Sequence, residues 1–241
     1  MRPRVGTAGW AIPRPVADRF PQVGSGLQRY AARFDAAEIN STFYRPHRAS
    51  TFQRWRETTP DGFRFAAKVP KAVTHESRLV DCQARLAAFV AEVAALGEAL
   101  GPLLVQLPPS FAFDRAVAEP FFAELRDVFD GQVACEPRHP TWFEPPVDAL
   151  LRAFRVARVA ADPARVAEAA HPGGWTGLGY WRLHGSPRMY YSAYGPAALE
   201  ALAAEVSRGE ADEAWVIFDN TTSGAAAADA LALQALLARR A

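Results

Sequence analysis

Seven side chains able to move protons or hold charge lie at or just past the ends of short apolar runs: Glu38, Lys68, Glu136, Arg138, Asp162, Arg182 and His184. Side chains two apart on a strand share a face. That rule groups Glu38 with Asn40, Ala66 with Lys68, and Ala134 with Glu136 and Arg138. It also groups Ala160 with Asp162, and Arg182 with His184. A small residue one step below a polar one suits an inward face, with Ala on the floor and charge above it. Glu38, Lys68, Glu136, Asp162 and His184 are therefore the catalytic candidates, with the two glutamates moving protons. Lys68, Arg138 and Arg182 would hold an anion and any charge that develops. A set of internal salt bridges stiffening the structure is the competing reading.

Composition singles out some of the same positions. Positive charge is carried by 25 Arg against two Lys, and there are only two Asn. Where Lys or Asn persists against that skew, a need that Arg or Ala cannot meet is expected, because an ammonium is a compact point charge and a guanidinium a rigid fork. Asn40, Lys68 and Asn220 each end an apolar run, and the two Asn join the binding candidates. His75, seven residues after Lys68, reaches the same mouth from a loop. Tyr44, Trp142 and Tyr190 follow three of the runs and offer flat rings to a substrate, the alternative being that they seal the rim. An anion site is also expected where Gly185-Ser186 and Asn220-Thr221-Thr222-Ser223-Gly224 offer backbone N–H groups near Arg182. No cofactor is expected. Glu38, Glu136, Asp162, His184 and Asp219 could hold Mg²⁺ or Mn²⁺, but three cations in the same space argue against it.

The elements that must position these groups are eight runs at residues 5–9, 36–40, 63–68, 103–106, 133–136, 156–162, 179–184 and 215–220. Most are continuously apolar, as strands buried on both faces are. Helical patterns fall between them at 27–34, 50–58, 79–100, 114–129, 146–154, 196–208 and 225–240. Residues 163–179 are a weak crossing, with one short helix at most before a Gly-rich loop. Eight alternations predict a single (β/α)8 TIM barrel over residues 1–241, with its site at the C-terminal mouth. A doubly wound sheet is the runner-up, but no G-x-G-x-x-G follows the first run.

A net charge of +1 provides no global field to hold the chain on nucleic acid or an anionic membrane. Cys82 and Cys135 have neither disulfide-framework nor zinc spacing. No signal peptide or spanning segment is visible, so a cytoplasmic location is expected.

The chain resembles the YecE-like family, domain of unknown function 72, whose members adopt a TIM barrel. The resemblance rests on Gly6-Thr7-Ala8-Gly9-Trp10, Glu38-Ile39-Asn40-Ser41-Thr42-Phe43-Tyr44 and Phe65-Ala66-Ala67-Lys68-Val69-Pro70. It continues through Leu103 to Pro109, Glu136-Pro137-Arg138, Tyr180 to Gly185 and Phe218-Asp219-Asn220. It implies the barrel and leaves the reaction open. The residues themselves point to an enzyme doing acid–base chemistry on a small anionic substrate, phosphorylated or carboxylated, with Schiff-base formation at Lys68 as a variant. A nucleic-acid processing enzyme and a non-catalytic metabolite binder are the alternatives. Three cations are surplus to an uncharged sugar, which disfavours a glycosidase.

Overall fold

The computed structural model describes residues 3–240. Its first half alternates strand and helix: β1 (Arg4–Thr7), α1 (Gly26–Ala31), β2 (Ala36–Ile39), α2 (Ala49–Thr58), β3 (Arg64–Lys68), α3 (Gln83–Val93) and β4 (Leu100–Gln106). Next come α4 (Arg115–Val128), β5 (Val133–Glu136), α5 (Pro145–Ala153), β6 (Val156–Arg158) and β7 (Ala160–Asp162). The chain ends with β8 (Gly173–Gly174), β9 (Leu178–Leu183), α6 (Pro196–Arg208), β10 (Glu213–Phe218) and α7 (Ala225–Ala238).

The strands form two sheets, ordered β2-β3-β4-β5-β6-β8 and β1-β10-β9-β7. Every pairing is parallel except β6 with β8. The sheets meet at two seams. At one, Ala8 bridges Glu38, and the Gly9 N–H donates to the Glu38 carbonyl at 2.8 Å. At the other, β6 leaves the first sheet and β7 joins the second across Val159 alone, whose N–H donates to the Cys135 carbonyl at 2.8 Å. The architecture is thus α/β with a parallel core, while the ladder is divided where one continuous eight-stranded sheet was expected.

Local chemistry sets several boundaries. Ser25 and Gln28 form a reciprocal capping box that starts α1, satisfying two backbone donors. The long helix expected at 79–100 is shorter. Positive φ at Arg78, Leu79 and Asp81 delays its start, and Gly97, at φ 54°, breaks the 3-10 turn that follows it. The apolar stripe Leu86, Phe89, Val93 and Leu96 is nonetheless buried as helical spacing requires. The weak crossing at 163–179 contains one 3-10 turn, Ala167–Ala170, and the short β8.

Two apolar layers result. The larger packs helices against the outer strand faces, with Ile39, Phe65, Cys135, Trp181 and Leu183 among its members. The smaller comprises Ala36, Ala66, Leu104, Ala134, Ala157, Val159, Leu178, Tyr180, Trp215 and Ile217. The Tyr180 and Trp215 rings stack within it, with centroids 6.2 Å apart. Ala36, Ala66 and Ala134 lie two residues before Glu38, Lys68 and Glu136, so small side chains form the floor beneath the charged ones.

Candidate functional site

Arg182 is the hub of the charged layer. It follows Leu178 and Tyr180 at strand spacing and is wholly buried. Its Nε and Nη2 donate to the two Glu38 oxygens at 2.9 and 2.7 Å, a fork-to-fork pairing that joins β9 to β2. Nη1 donates to Glu136 at 3.0 Å, and Nη2 lies 3.0 Å from Asp219 Oδ2. Tyr180 adds a hydroxyl bond to Glu38 at 3.1 Å. Burial alone would lower the Arg182 pKa, but Asp219, Glu38 and Glu136 hold it well above its ordinary value. Burial and the adjacent Glu38 carboxylate push the Tyr180 phenol well up, so it stays a donor.

The second knot is built on Glu136. Arg138 Nε donates to its Oε1 at 2.7 Å, and His184 Nε2 lies 2.9 Å from the same oxygen. His184 Nδ1 is 3.0 Å from Asp219 Oδ2, which aligns the ring between two carboxylates. Arg138 Nη2 also lies 2.7 Å from His184 Nε2. A neutral ring protonated at Nδ1 accepts there from Arg138, whereas an imidazolium donates to Glu136 and repels the guanidinium. The protonation of His184 therefore decides which partner it keeps. Burial raises the pKa values of Glu136 and Asp219, yet the nearby cations win. Arg138, Arg182 and His184 hold Glu136 well below the usual range, and Arg182 and His184 hold Asp219 down as well.

Lys68 is different. It is only 5% exposed, and among the described residues its Nζ has neither hydrogen bond nor ion pair. It rests 4.2 Å from the centroid of the Phe43 ring. Burial, reinforced by the Arg182 charge, lowers its pKa to about 8. Glu38, Glu136 and Asp219 oppose that shift from a distance but are themselves engaged by guanidinium groups. The 3-10 turn after β2, Ser41–Phe43, folds onto the end of β3 because the Thr42 hydroxyl donates to the Lys68 carbonyl at 2.7 Å. This contact brings Phe43 over the amine. His75 packs edge-on against Phe43 at 5.0 Å, from the π-helical turn Ala72–Glu76. Burial and the charges of Lys68 and Arg138 lower its pKa, so the ring is predominantly neutral at pH 7.

The structure brings together Glu38, Lys68, His75, Glu136, Arg138, Arg182, His184 and, at the rim, Tyr190. The Tyr190 ring stands edge-on to His184 at 5.7 Å. Asn40 lies just past the end of β2, where the chain turns into a 3-10 helix, and among the described residues its buried Oδ1 has no hydrogen-bond partner. Three residues escaped the sequence reading as members of this group. Tyr180 and Gln106 share inner parity with Arg182 and Leu104, and Asp219, considered only as a metal ligand, shares it with Trp215 and Ile217. Strand parity was the signal available for each.

Other expectations are corrected. Arg182 was expected to hold an anion, but its donors are spent on three carboxylates and it is sealed from solvent. Glu38 was expected to carry protons, but it is equally sealed and clamped by Arg182 and Tyr180. Asp162 faces the wrong way: β7 pairs Ala161 with inward Arg182 and Asp162 with outward Leu183. Its Oδ1 instead accepts from the Tyr194 hydroxyl at 2.7 Å. Asn220, one residue past inward Asp219, donates to Asp229 at 2.7 Å and to the Ser192 carbonyl at 2.9 Å on the outer side. Trp142 is fully buried, with Nε1 donating to the Phe111 carbonyl at 2.8 Å, so it seals the rim. Tyr44 is 67% exposed and meets Phe43 edge-on, so it is not enclosed with the charged layer.

Some of the backbone donors expected to bind an anion around Gly185 and residues 220–224 are occupied. The Gly185 N–H donates to the Tyr194 hydroxyl, and those of Thr222, Gly224 and Ala226 donate to the Tyr190, Thr221 and Asn220 carbonyls. Gly185 itself is required, since at φ 92° an added Cβ would lie 2.7 Å from the Ser192 carbonyl oxygen. Among the described residues no three His, Cys, Asp or Glu side chains are grouped to hold a metal ion. Nor is any described helix long and apolar enough to cross a membrane.

These features define an α/β protein of TIM-barrel-like architecture with a dense ionic layer where its strands end. The chain belongs to the family described as "Protein of unknown function DUF72", whose profile matches residues 4–241. It is 30% identical over 176 residues to UPF0759 protein YecE of Escherichia coli (strain K12), covering 70% of this chain and 61% of that protein. The crystal structure of a DUF72 family protein from Thermotoga maritima MSB8 is similar with a TM-score of 0.80 and 26% identity, covering 99% of this chain and 100% of the other. A D-psicose 3-epimerase from Clostridium cellulolyticum H10, crystallised with D-tagatose, shares the fold at a TM-score of 0.52 and 10% identity, covering 98% and 97% of the two chains.

Proposed function

We propose that this protein is an enzyme that performs acid–base chemistry on a small anionic substrate, phosphorylated or carboxylated, bound over Lys68 and Arg138. One observation carries the reading. In a site where every other interior charge is paired, Lys68 is a nearly buried amine without a hydrogen-bond or ion-pair partner among the described residues. Desolvating an ammonium without compensation is costly, so such a group is expected where a ligand supplies the missing charge. Arg138 adds to it, because among the described residues Nη1 has no hydrogen-bonding partner while Nε and Nη2 anchor the fork on Glu136 and His184. His75 and His184 then serve as the proton carriers, His184 being oriented by Glu136 and Asp219. Arg182, Glu38 and Tyr180 hold β9 to β2 beneath the substrate and take no proton from it.

The same proposal treats the two sheets as one closed eight-stranded barrel. The Ala8–Glu38 bridge closes one seam, and the continuous segment from Val156 to Asp162 closes the other. A phosphate or carboxylate placed at the mouth would then meet the strand ends, where barrels of this kind work.

Thermal-shift titration against paired ligands tests the reading. Phosphate esters and carboxylates are expected to raise Tm where their neutral alcohols and amides do not. A ligand at 100 times its Kd stabilises by about 2.7 kcal/mol, which such an assay resolves easily. Lys68→Met should abolish the shift. If no anion raises Tm at millimolar concentration, or if Lys68→Met responds as the natural chain does, the reading fails.

A further inference from the structure

We infer that Lys68 is an imine-forming amine: its Nζ condenses with the aldehyde or ketone carbon of a small carbonyl compound that carries a carboxylate or phosphate. This deepens the proposed function, on which it rests, by naming the substrate class.

The geometry is that of a nucleophile rather than a structural cation. Structural lysines spend their charge on carboxylates, as Lys71 does three residues later, exposed and 3.0 Å from Glu76. Lys68 has three carboxylates in its neighbourhood and binds none of them, because Arg138 and Arg182 hold Glu136, Glu38 and Asp219 in place. What touches the amine is the face of Phe43, which offers no hydrogen-bond acceptor and no formal countercharge, so burial there still disfavours the ammonium. Lowering of its pKa to about 8 leaves a usable free-amine fraction near neutrality. The chain otherwise uses Arg nearly everywhere for positive charge, and a guanidinium cannot form an imine under these conditions.

The remaining groups match the other requirements of the step. Arg138 Nη1 is free to take the anionic group of the substrate. His75, beside Phe43 and predominantly neutral, can accept the proton that Lys68 must lose. The Nζ lone pair then bonds to the carbonyl carbon while the C=O π bond breaks, and the oxygen takes the proton back to give a carbinolamine. A second proton moves from nitrogen to that oxygen, the C–O bond breaks, and water leaves. The ammonium and the carbonyl compound have become a protonated imine and one water, with charge conserved and no oxidant or reductant consumed.

Reductive trapping tests this on the full chain. Glyoxylate, glycolaldehyde phosphate and neutral glycolaldehyde are each incubated with the protein and cyanoborohydride at pH 7, and the adducts are located by peptide mass spectrometry. With two lysines in the chain, Lys71 is an internal control. Lys68 should be labelled by the two anionic aldehydes about tenfold or more over Lys71, because a desolvated amine is deprotonated far more at that pH. Lys68→Arg should lose that adduct while Lys71 labelling stays the same. Thermal shifts with glyoxylate separate the two levels of the argument. A shift without preferential Lys68 labelling would overturn the imine and leave the anion site standing. Absence of both would overturn the two together. Equal trapping of glycolaldehyde and its phosphate at Lys68 would overturn the anionic substrate class.

Discussion

Two halves of one charged layer handle charge in opposite ways. On the side where β9 meets β2, Arg182, Glu38, Tyr180 and Asp219 satisfy one another and exclude solvent. On the side formed by β3 and its loop, Lys68 and His75 lie in burial that disfavours their charge, and among the described residues Lys68 has no ion-pair partner. The sealed half is organised as scaffold. It gains little over an apolar core of equal volume, yet losing one member is costly, because each helps to compensate the burial of others. The open half carries an uncompensated cost, and an uncompensated cost at the end of a barrel-like strand marks a place prepared for a ligand.

The largest effect should come from removing the hub. Arg182→Leu leaves Glu38 and Asp219 without their strongest partner and strips Glu136 of one of two guanidinium contacts. A loss of about 3–5 kcal/mol is expected, the usual consequence of orphaning a buried charge. Urea denaturation measures it. A loss under about 1 kcal/mol would mean that the two halves do not differ in the way described.

Lys68→Met is expected to do the reverse, stabilising the fold by about 3 kcal/mol at pH 7 while abolishing anion binding. The sign follows from linkage. Lys68 has a folded pKa of about 8 against an ordinary value of 10.5, so the unfolded chain binds more protons between those values. The lysine therefore destabilises the fold fully below about pH 8, and that cost fades as pH rises toward 10.5. The advantage of Met over Lys should shrink across that window, as paired denaturation curves at pH 7 and pH 10 would register. A destabilised Lys68→Met would place the residue among the structural cations.

Acid should act on the sealed half. Glu136 and Asp219 both titrate below their ordinary values of 4.5 and 3.8, so they stabilise the fold above that range and lose the contribution as pH falls through it. Unfolding free energy should decline below about pH 4.5, by roughly 1–2 kcal/mol beyond what the exposed carboxylates cause. The extra slope should be much reduced in Arg182→Leu, where the main cation holding Asp219 down is gone. An unchanged slope in that variant would separate acid stability from the hub.

How much of this was legible in the sequence depended on whether the information was one-dimensional. The alternation of strands with helices and the parity of Glu38, Lys68, Glu136, Arg182 and His184 are patterns along the chain, and the structure bears them out. Partner choice is not such a pattern. Residues sharing a face do not say which carboxylate takes which guanidinium, so Arg182 was assigned to a substrate when it belongs to Glu38. Parity also misleads where a strand changes sheets. Within residues 156–162 the inner side chains are Ala157, Val159 and Ala161, a phase betrayed by Arg158, whose guanidinium is held by Asp148 on the helix side. Trp142 and Asn220 were misplaced for a related reason: rim aromatics and strand-end amides serve packing and ligands equally well, and only coordinates separate the two.

The smallest expected effect sharpens the comparison by lying outside both halves. Asp162→Asn keeps an oxygen for the Tyr194 hydroxyl, whose phenol is held neutral by burial and by that same bond. A neutral acceptor replaces a charged one, so about 0.5–1 kcal/mol of stability should be lost. The anion-induced thermal shift should match that of the natural chain, because Asp162 shares the outward phase of Leu183 and contributes nothing to the field around Lys68. Had Asp162 faced inward beside Glu136, removing its charge would have altered the balance that Arg138 and His184 maintain, and ligand affinity would change with it. Measuring stability and ligand shift on the same sample separates these outcomes. A variant that folds normally but binds anions more tightly or more weakly would return Asp162 to the site.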